Sequence, residues 1–525
     1  MNINIDHRLG LLAQAGQLHL LNGGLKGLEK ESLRITPEGR VAQTPHPHDL
    51  GAALTHPWIT TDYSEALIEL ITPPFADAAD TLDFMAELHR FVYRHIGDES
   101  LLATSMPCEI DGDASIPIAE YGRSNIGKLK RVYRQGLQWR YGRAMQAIAG
   151  IHFNYSVNEA LWPALREALG IKQSLEHFVS DQYFGLIRNI HRHGWLILYL
   201  YGASPAFCAS FFKGRETLAQ GFPTLGPATL FRPHATSLRM SDIGYRNDSQ
   251  AGLEICFNHL EAYVASLSRA IHTPYPAYEK IGVKVDGEYR QLNGNILQIE
   301  NEYYSPVRPK QIALSGEKPT AALRRRGIRY VELRSVDLDC YAPAGASADQ
   351  LRLLEVFLLT CLLLESPALS HEEKSVCDRN ALSVACCGRT PGFTLQRRGG
   401  PVGLKSWAGE LAAAMTAVAH AMDDGKDTKP YVDSLRRLNE VLADDENTPS
   451  ARVLADLQRE KLSFGEYALN LSKGHAAGFR AQVPRDEFCE KLRQEARESW
   501  DEQARIEAAD DVDFDTFLHR YLAQP

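Results

Sequence analysis

An α+β protein with a helical C-terminal third is the fold class this sequence predicts. Three observations carry that prediction. Four short stretches between residues 25 and 340 combine period-two polarity with β-branched or aromatic content, the pattern of half-buried strands. Beyond about residue 350, runs such as LRLLEVFLLTCLLLE (351–365) and WAGELAAAMTAVAHAM (407–422) follow the helical period instead. The composition, 44% hydrophobic, 23% charged and 9% aromatic, is that of a globular chain and excludes a disordered, collagenous or coiled-coil protein. The division drawn is a mixed α+β core over residues 1–345 and a mostly helical region over 346–525 packed on the same core, the two together forming one domain or two.

Taken in order, residues 7–21 read as an amphipathic helix. The strands follow: LKGLEKESLRIT (25–36), ALIELITPP (66–74), AGIHFNYSV (149–157) and IRYVELRSV (328–336), the second ended by Pro73-Pro74. Gly194 to Phe212 is uncharged and nearly long enough to span a bilayer, but the run GASP breaks it, so a buried helix followed by a turn is expected. VKVDGEYRQL (283–292) reads as a hairpin turning at Asp286-Gly287. Helices are expected over 351–365, 407–422, 432–443 and 486–509.

The net charge of −9 argues against a non-specific nucleic-acid partner. Nine scattered cysteines without a CxxC pair argue against a zinc ribbon or a thioredoxin-like motif, and point to a reducing, cytoplasmic setting. The N-terminus shows no basic stretch followed by an apolar one, so neither a signal peptide nor a membrane location is expected.

In a strand, residues i and i+2 share a face. Glu29 and Glu31 therefore project together, as do Glu332 with Arg334, and His152 with Asn154, while Val331, Leu333, Ile151, Phe153 and Tyr155 fill the opposite faces. Glu69 interrupts an apolar run. A solvated outer sheet face is one reading of this pattern. The other is a buried cluster of carboxylates, which needs cations because like charges raise each other's pKa. Magnesium or manganese suits an oxygen-rich set with one imidazole, and such acid-held metals serve phosphoryl chemistry.

Other motifs lead nowhere. RRGGPVGLKS (397–406) lacks the Gly-Lys-Ser/Thr order of a phosphate loop. His46 and His48 fall in a Pro-rich loop, and His191 and His193 diverge on a helix. Arg324, Arg325 and Arg326 read as a solvated turn, Glu65 as a charge at a strand entry, and Cys386-Cys387 as inert.

Seven ordered blocks carry a resemblance: GLEKESLR (27–34), LTHPWITTDYSEALIELITP (54–73), SMPC (105–108), GIHFN (150–154), ATSLRMSDIGY (235–245), LQIENEYYSPVRPK (297–310) and YVELRSVD (330–337). Together they resemble the proteobacterial type of glutamate–cysteine ligase, the γ-glutamylcysteine synthetases of glutathione biosynthesis, from about residue 20 to beyond 400. The resemblance implies a glutamine-synthetase-like fold, in which an antiparallel sheet curls into a funnel lined by metal and substrates. It implies that Glu29, Glu31, Asp62, Glu69, His152 and Glu332 hold two or three magnesium ions around the ATP phosphates. Arg334 matches a phosphate-contacting residue and, with Glu29 and Glu332, is assigned to catalysis. Tyr133, Leu137, Gln146, Arg239, Tyr245 and Tyr304 match positions around cysteine, with Arg239 facing its carboxylate. Asn154, beside His152, joins the substrate-binding set, as does Tyr63, which departs from the family's phenylalanine.

The implied reaction is ligation of the γ-carboxylate of L-glutamate to the amine of L-cysteine through γ-glutamyl phosphate, with ATP as co-substrate and inhibition by glutathione. The alternatives are the same chemistry with another acceptor amine, for which Tyr63 is the hint, a metal-dependent hydrolase, and a non-catalytic nucleotide binder. The complete set of six metal-site matches argues against the last.

Overall fold

The computed structural model describes residues 5–244, 250, 252–314 and 316–524. Its main sheet is built from β1 (Leu25–Ile35), β2 (Ile59–Thr61), β3 (Leu67–Ile71), β4 (Ser100–Leu101), β5 (Ile151–Ser156), β6 (Val307–Lys310) and β7 (Tyr330–Val336). The spatial order is β6-β7-β5-β1-β3-β2, with β4 paired to the end of β1, and every pairing is antiparallel. The fold is therefore α+β with an open antiparallel sheet, and the four strand stretches read from sequence supply β1, β3, β5 and β7.

Register places Glu29 opposite both Ile71 and His152, Glu31 opposite Glu69, Gly27 opposite Asn154, and Asn154 opposite Glu332. Directly opposed residues share a face. Glu29, Glu31, Glu69, His152, Asn154 and Glu332 thus project from one side of the sheet. A slip of one residue would exchange the two faces, so burial of Leu28, Leu70, Phe153, Tyr155, Val331 and Leu333 on the other side fixes the register.

Helices pack around the sheet: α1 (Ala78–Val92), α2 (Asn125–Tyr141), α3 (Leu175–His193), α4 (Trp195–Tyr201), α5 (Ala348–Leu363), α6 (His371–Cys387), α7 (Leu404–Met422), α8 (Phe464–Ala481) and α9 (Asp486–Ala509). Helix α5 is apolar almost all round because it is enclosed by α1, α3 and α7. Its exception is Glu355, fully buried, whose carboxylate meets Lys26 Nζ of β1 at 2.7 Å and accepts from the Tyr155 and Tyr431 hydroxyls. The start of α8 is held by a capping box, Ser463 with Glu466.

The Asp286-Gly287 hairpin forms as expected, with both residues at positive φ (+54° and +86°) in the manner of a type I′ turn. The segment 194–212 is buried: α4, a turn, then a short strand Ala206–Cys208. Among the described residues no helix is long and apolar enough to cross a membrane. Three expectations shift. The N-terminal helix stops at Gln14, because Gly16 takes φ +68°, and resumes as a 3-10 turn Leu18–Leu21. Arg324, Arg325 and Arg326 close a short helix, Pro319–Arg326, and Glu317 pairs with the last two. RRGG (397–400) forms the turn of a hairpin, Thr394–Arg397 with Gly400–Gly403, inside the otherwise helical region.

Lys30 is an unexpected core residue. It points away from Glu29 and Glu31 and is 4% exposed, with Nζ 2.8 Å from His89 Nε2. His89 Nδ1 donates to the Met85 carbonyl, which leaves Nε2 as the acceptor. Burial without a carboxylate partner pulls the Lys30 pKa down to about 7 from its ordinary 10.5. The folded protein therefore binds fewer protons here than the unfolded chain between those two values, and stability rises with pH across that window. Lys30→Met should remove this slope. Its stability gain over wild type should be larger at pH 6 than at pH 9.5 by about 3 kcal/mol, read from urea midpoints at the two pH values; equal differences would show that Lys30 stays charged in the fold.

Candidate functional site

The polar face of the sheet is the candidate site. Glu29, His152 and Glu332 each present a ligand atom, all within 4.8 Å of one another. His152 Nδ1 lies 3.1 Å from Glu29 Oε2 and 3.8 Å from Glu332 Oε1, and its Nε2 lies 3.6 Å from Glu31 Oε1. Arg334 Nη1 is 3.2 Å from Glu332 Oε1 and 3.4 Å from His152 Nδ1. Strand geometry explains the convergence: these side chains come from three adjacent strands, β1, β5 and β7, at matched register.

The centre of the face is withdrawn from solvent, with Glu31, His152 and Glu332 all at 5% exposure or less, while Glu29, Asp62, Glu69, Asn154 and Arg334 are half-buried. Burial opposes the charge on Glu332, but Lys310 and Arg334 outweigh it and hold the carboxyl well below its usual range. Burial likewise works against Glu29, but the hydrogen bond and charge of His152, joined by Lys310, together outweigh it and lower the carboxyl. Glu69 goes the other way: burial, then repulsion from Glu29, Asp62 and Glu31, raises it well above the carboxylate range. Glu31 is raised by burial and by Asp62 against the pull of His152 and Arg239. Two halves result. Glu29, His152 and Glu332 form one with cations in contact, and Glu31, Asp62 and Glu69 form another whose charges repel.

A divalent cation fits the first half. Glu332 Oε2 and Asn154 Oδ1 are buried without a hydrogen-bond partner among the described residues, and both are hard oxygen donors. Asp62 comes from the turn after β2, where Tyr121 and Arg134 donate to its carbonyl and fix the backbone.

Of the residues assigned to cysteine, Tyr133 and Leu137 sit one turn apart on α2. Gln146 Nε2 reaches the Tyr304 hydroxyl at 3.4 Å. Arg239 is buried and donates from Nη2 to the Arg334 carbonyl at 2.9 Å. A cavity of about 730 Å³ is lined by Arg239, Arg334, His152 and Tyr304, and extends to His191 and Lys374. Tyr63 is 1% exposed and its hydroxyl has no partner among the described residues. Tyr245 lies outside the described residues. Asn154 donates from Nδ2 to Glu29 Oε1 at 2.8 Å, so its amide is engaged with a carboxylate of the acid cluster.

Two cations escaped the sequence reading. Lys310 Nζ lies 3.3 Å, and Arg308 Nη1 4.0 Å, from the Glu332 carboxylate. The signal was present: Arg308 and Lys310 are two apart in a strand, and Arg308 pairs directly with Glu332.

Known proteins share this fold. A Francisella tularensis glutamate–cysteine ligase solved in complex with AMP superposes with a TM-score of 0.89, covering 95% of this chain and 98% of its own, at 35% identity. A bifunctional glutathione synthetase from Pasteurella multocida has the same fold, with a TM-score of 0.71 at 24% identity over 91% of this chain and 55% of its own. Fold and site thus define an enzyme of the ligase class. The family model for glutamate–cysteine ligase matches residues 9–384. The glutamate–cysteine ligases of Pseudomonas putida KT2440 and Pseudomonas paraeruginosa PA7 are each 48% identical over 519 residues, 99% of this chain and 98% of theirs. The chain belongs to the glutamate–cysteine ligase family, whose reaction, the joining of glutamate to cysteine, is the first step of glutathione biosynthesis.

Proposed function

We propose that the polar face carries out ATP-dependent, ADP-forming ligation of L-glutamate to L-cysteine through γ-glutamyl phosphate. The observation that carries this reading is the meeting of Glu29, His152 and Glu332 with Arg334 and Lys310 beside a cavity that Arg239 lines. Magnesium, or manganese in its place, would be held by Glu29, His152 and Glu332 and by Glu31, Asp62 and Glu69, and would supply charge neutralisation at the phosphate oxygens.

The glutamate γ-carboxylate attacks the γ-phosphorus in line; the new O–P bond forms as the bond to ADP breaks. Charge spreads over the equatorial oxygens, where the Arg334 fork and the Lys310 ammonium oppose it. The cysteine amine then attacks the acyl carbon, and phosphate leaves. Arg239 orients the acceptor by its carboxylate, with Tyr133, Leu137, Gln146, Tyr304, Tyr63 and the neighbouring Asn154 shaping the pocket. No protein nucleophile is required, so positioning and charge are the chain's contribution.

ADP release measured with ATP, magnesium and glutamate, then with cysteine added, tests this. Release that rises strongly only with both amino acids and yields the γ-linked dipeptide supports it. Release indifferent to cysteine would favour a different acceptor or the hydrolase. Glutathione in the millimolar range should depress the initial rate; a rate that does not respond would remove feedback inhibition from the reading. All nine cysteines are free, as a reducing compartment keeps them, and the cytoplasm is the proposed location.

A further inference from the structure

Arg239 is carried by a single short turn, Leu238–Met240, which is too small to fix a long side chain by its own packing. Yet the guanidinium is tightly placed. It donates to the Arg334 carbonyl and lies against Gly150, where any Cβ would overlap it. Gly150 N in turn donates to Glu31 Oε2 at 2.9 Å. The cation is wedged where β5 begins and β7 ends.

What fixes the turn is Asp337, the residue directly after β7. Its Oδ2 accepts from Ala203 N at 2.9 Å and from the Ser204 hydroxyl at 2.6 Å. Its Oδ1 accepts from the Ser237 hydroxyl at 2.8 Å and lies 3.8 Å from Arg239 Nη1. The two serines pass the constraint on. Ser204 Oγ accepts from Arg239 N, and Ser237 Oγ accepts from Met240 N, each at 3.3 Å. Leu238 N donates to the Ser204 carbonyl at 2.7 Å. Asp337 and Ser237 are 1% exposed or less, as is Ser204. A carboxylate so enclosed cannot reach a substrate, and at 3.8 Å it is a facing charge rather than a hydrogen-bond partner of the guanidinium. Its hydrogen bonds reach the turn only through the two serine hydroxyls, which accept from the Arg239 and Met240 N–H groups.

We infer that Asp337 is a positioning residue for the acceptor: through Ser204 and Ser237 it sets the turn so that the Arg239 guanidinium presents its fork to the carboxylate of the incoming amino acid. This rests on the reading of Arg239 given under the proposed function. A bidentate contact tolerates little misplacement, so a loosened turn costs acceptor binding before it costs phosphoryl chemistry.

The test compares cysteine with cysteinamide, which keeps the amine and thiol and loses the carboxylate charge. In Asp337→Asn, the KM for cysteine should rise about tenfold and the preference for cysteine over cysteinamide should fall by a similar factor. The KM values for glutamate and ATP should stay within about twofold, a split that a general loss of structure would not produce. Ser237→Ala removes one relay without touching the buried charge and should shift the same ratio about threefold; it decides the matter if the Asn variant fails to fold. Arg239→Lys should abolish most of the preference. If Arg239→Lys loses the preference while Asp337→Asn and Ser237→Ala keep it, Asp337 is structural and the inference is wrong. If Arg239→Lys keeps it too, Arg239 does not read the acceptor carboxylate, and both readings fall.

Discussion

Glu332→Gln is expected to lower kcat by about a thousandfold while leaving the fold intact. Glu332 is where the two charge systems of the site meet. Its carboxylate is 3.2 Å from Arg334, 3.3 Å from Lys310 and within 4.8 Å of the donors of Glu29 and His152. The amide is isosteric, so packing against the neighbouring strands is kept. The charge is lost, however, and with it the counter-ion that holds Arg334 and Lys310 in place. The magnesium dependence should move as well, because one of three donors becomes a weak neutral ligand. Initial rates across a magnesium titration check this: a lowered plateau together with a higher half-saturating concentration is expected. Rates equal to wild type at limiting magnesium would take Glu332 out of the site. Glu29→Gln should behave in the same direction.

Arg334→Lys should cost about a hundredfold in kcat. The guanidinium faces Glu332 and His152 Nδ1 together, and burial is overcome by Glu332, Glu31 and Glu29, which hold it charged. An ammonium keeps the charge and loses the planar fork. Single-turnover ADP formation isolates this effect from acceptor binding. A near-normal rate would mean that Arg334 serves only as a counter-ion.

Much of the candidate site's polar face was legible in the strands. Alternation in Glu29-Lys30-Glu31 and in Glu332-Leu333-Arg334 marks a face, and the observed register brings those faces together. Asp62 was beyond such reasoning, because it sits in a turn with no period, and the family resemblance supplied it. On the other side of β1, Lys26, Lys30 and Arg34 are all buried, which alternation along the strand does not announce. Their partners explain this: Glu355, His89 and Glu99 lie far away in sequence, and only the packed fold supplies them. A register shift between Leu333 and Val336 was equally invisible; it is a local irregularity of the kind that re-aims residues near active sites.

The Lys26–Glu355 pair has a consequence for how this chain can vary. One partner stands three positions before Glu29, the first of the acid-cluster glutamates, and the other lies in the C-terminal helical region. Losing either alone strands a buried charge, at a cost of about 3–5 kcal/mol. Substitution at one position is therefore tolerated only with a matching change at the other, and a chimera that exchanges helical tails between homologues must carry both residues across together. Strand β1 and the distant helix form a single hereditary unit, although more than three hundred residues separate Lys26 from Glu355 along the chain.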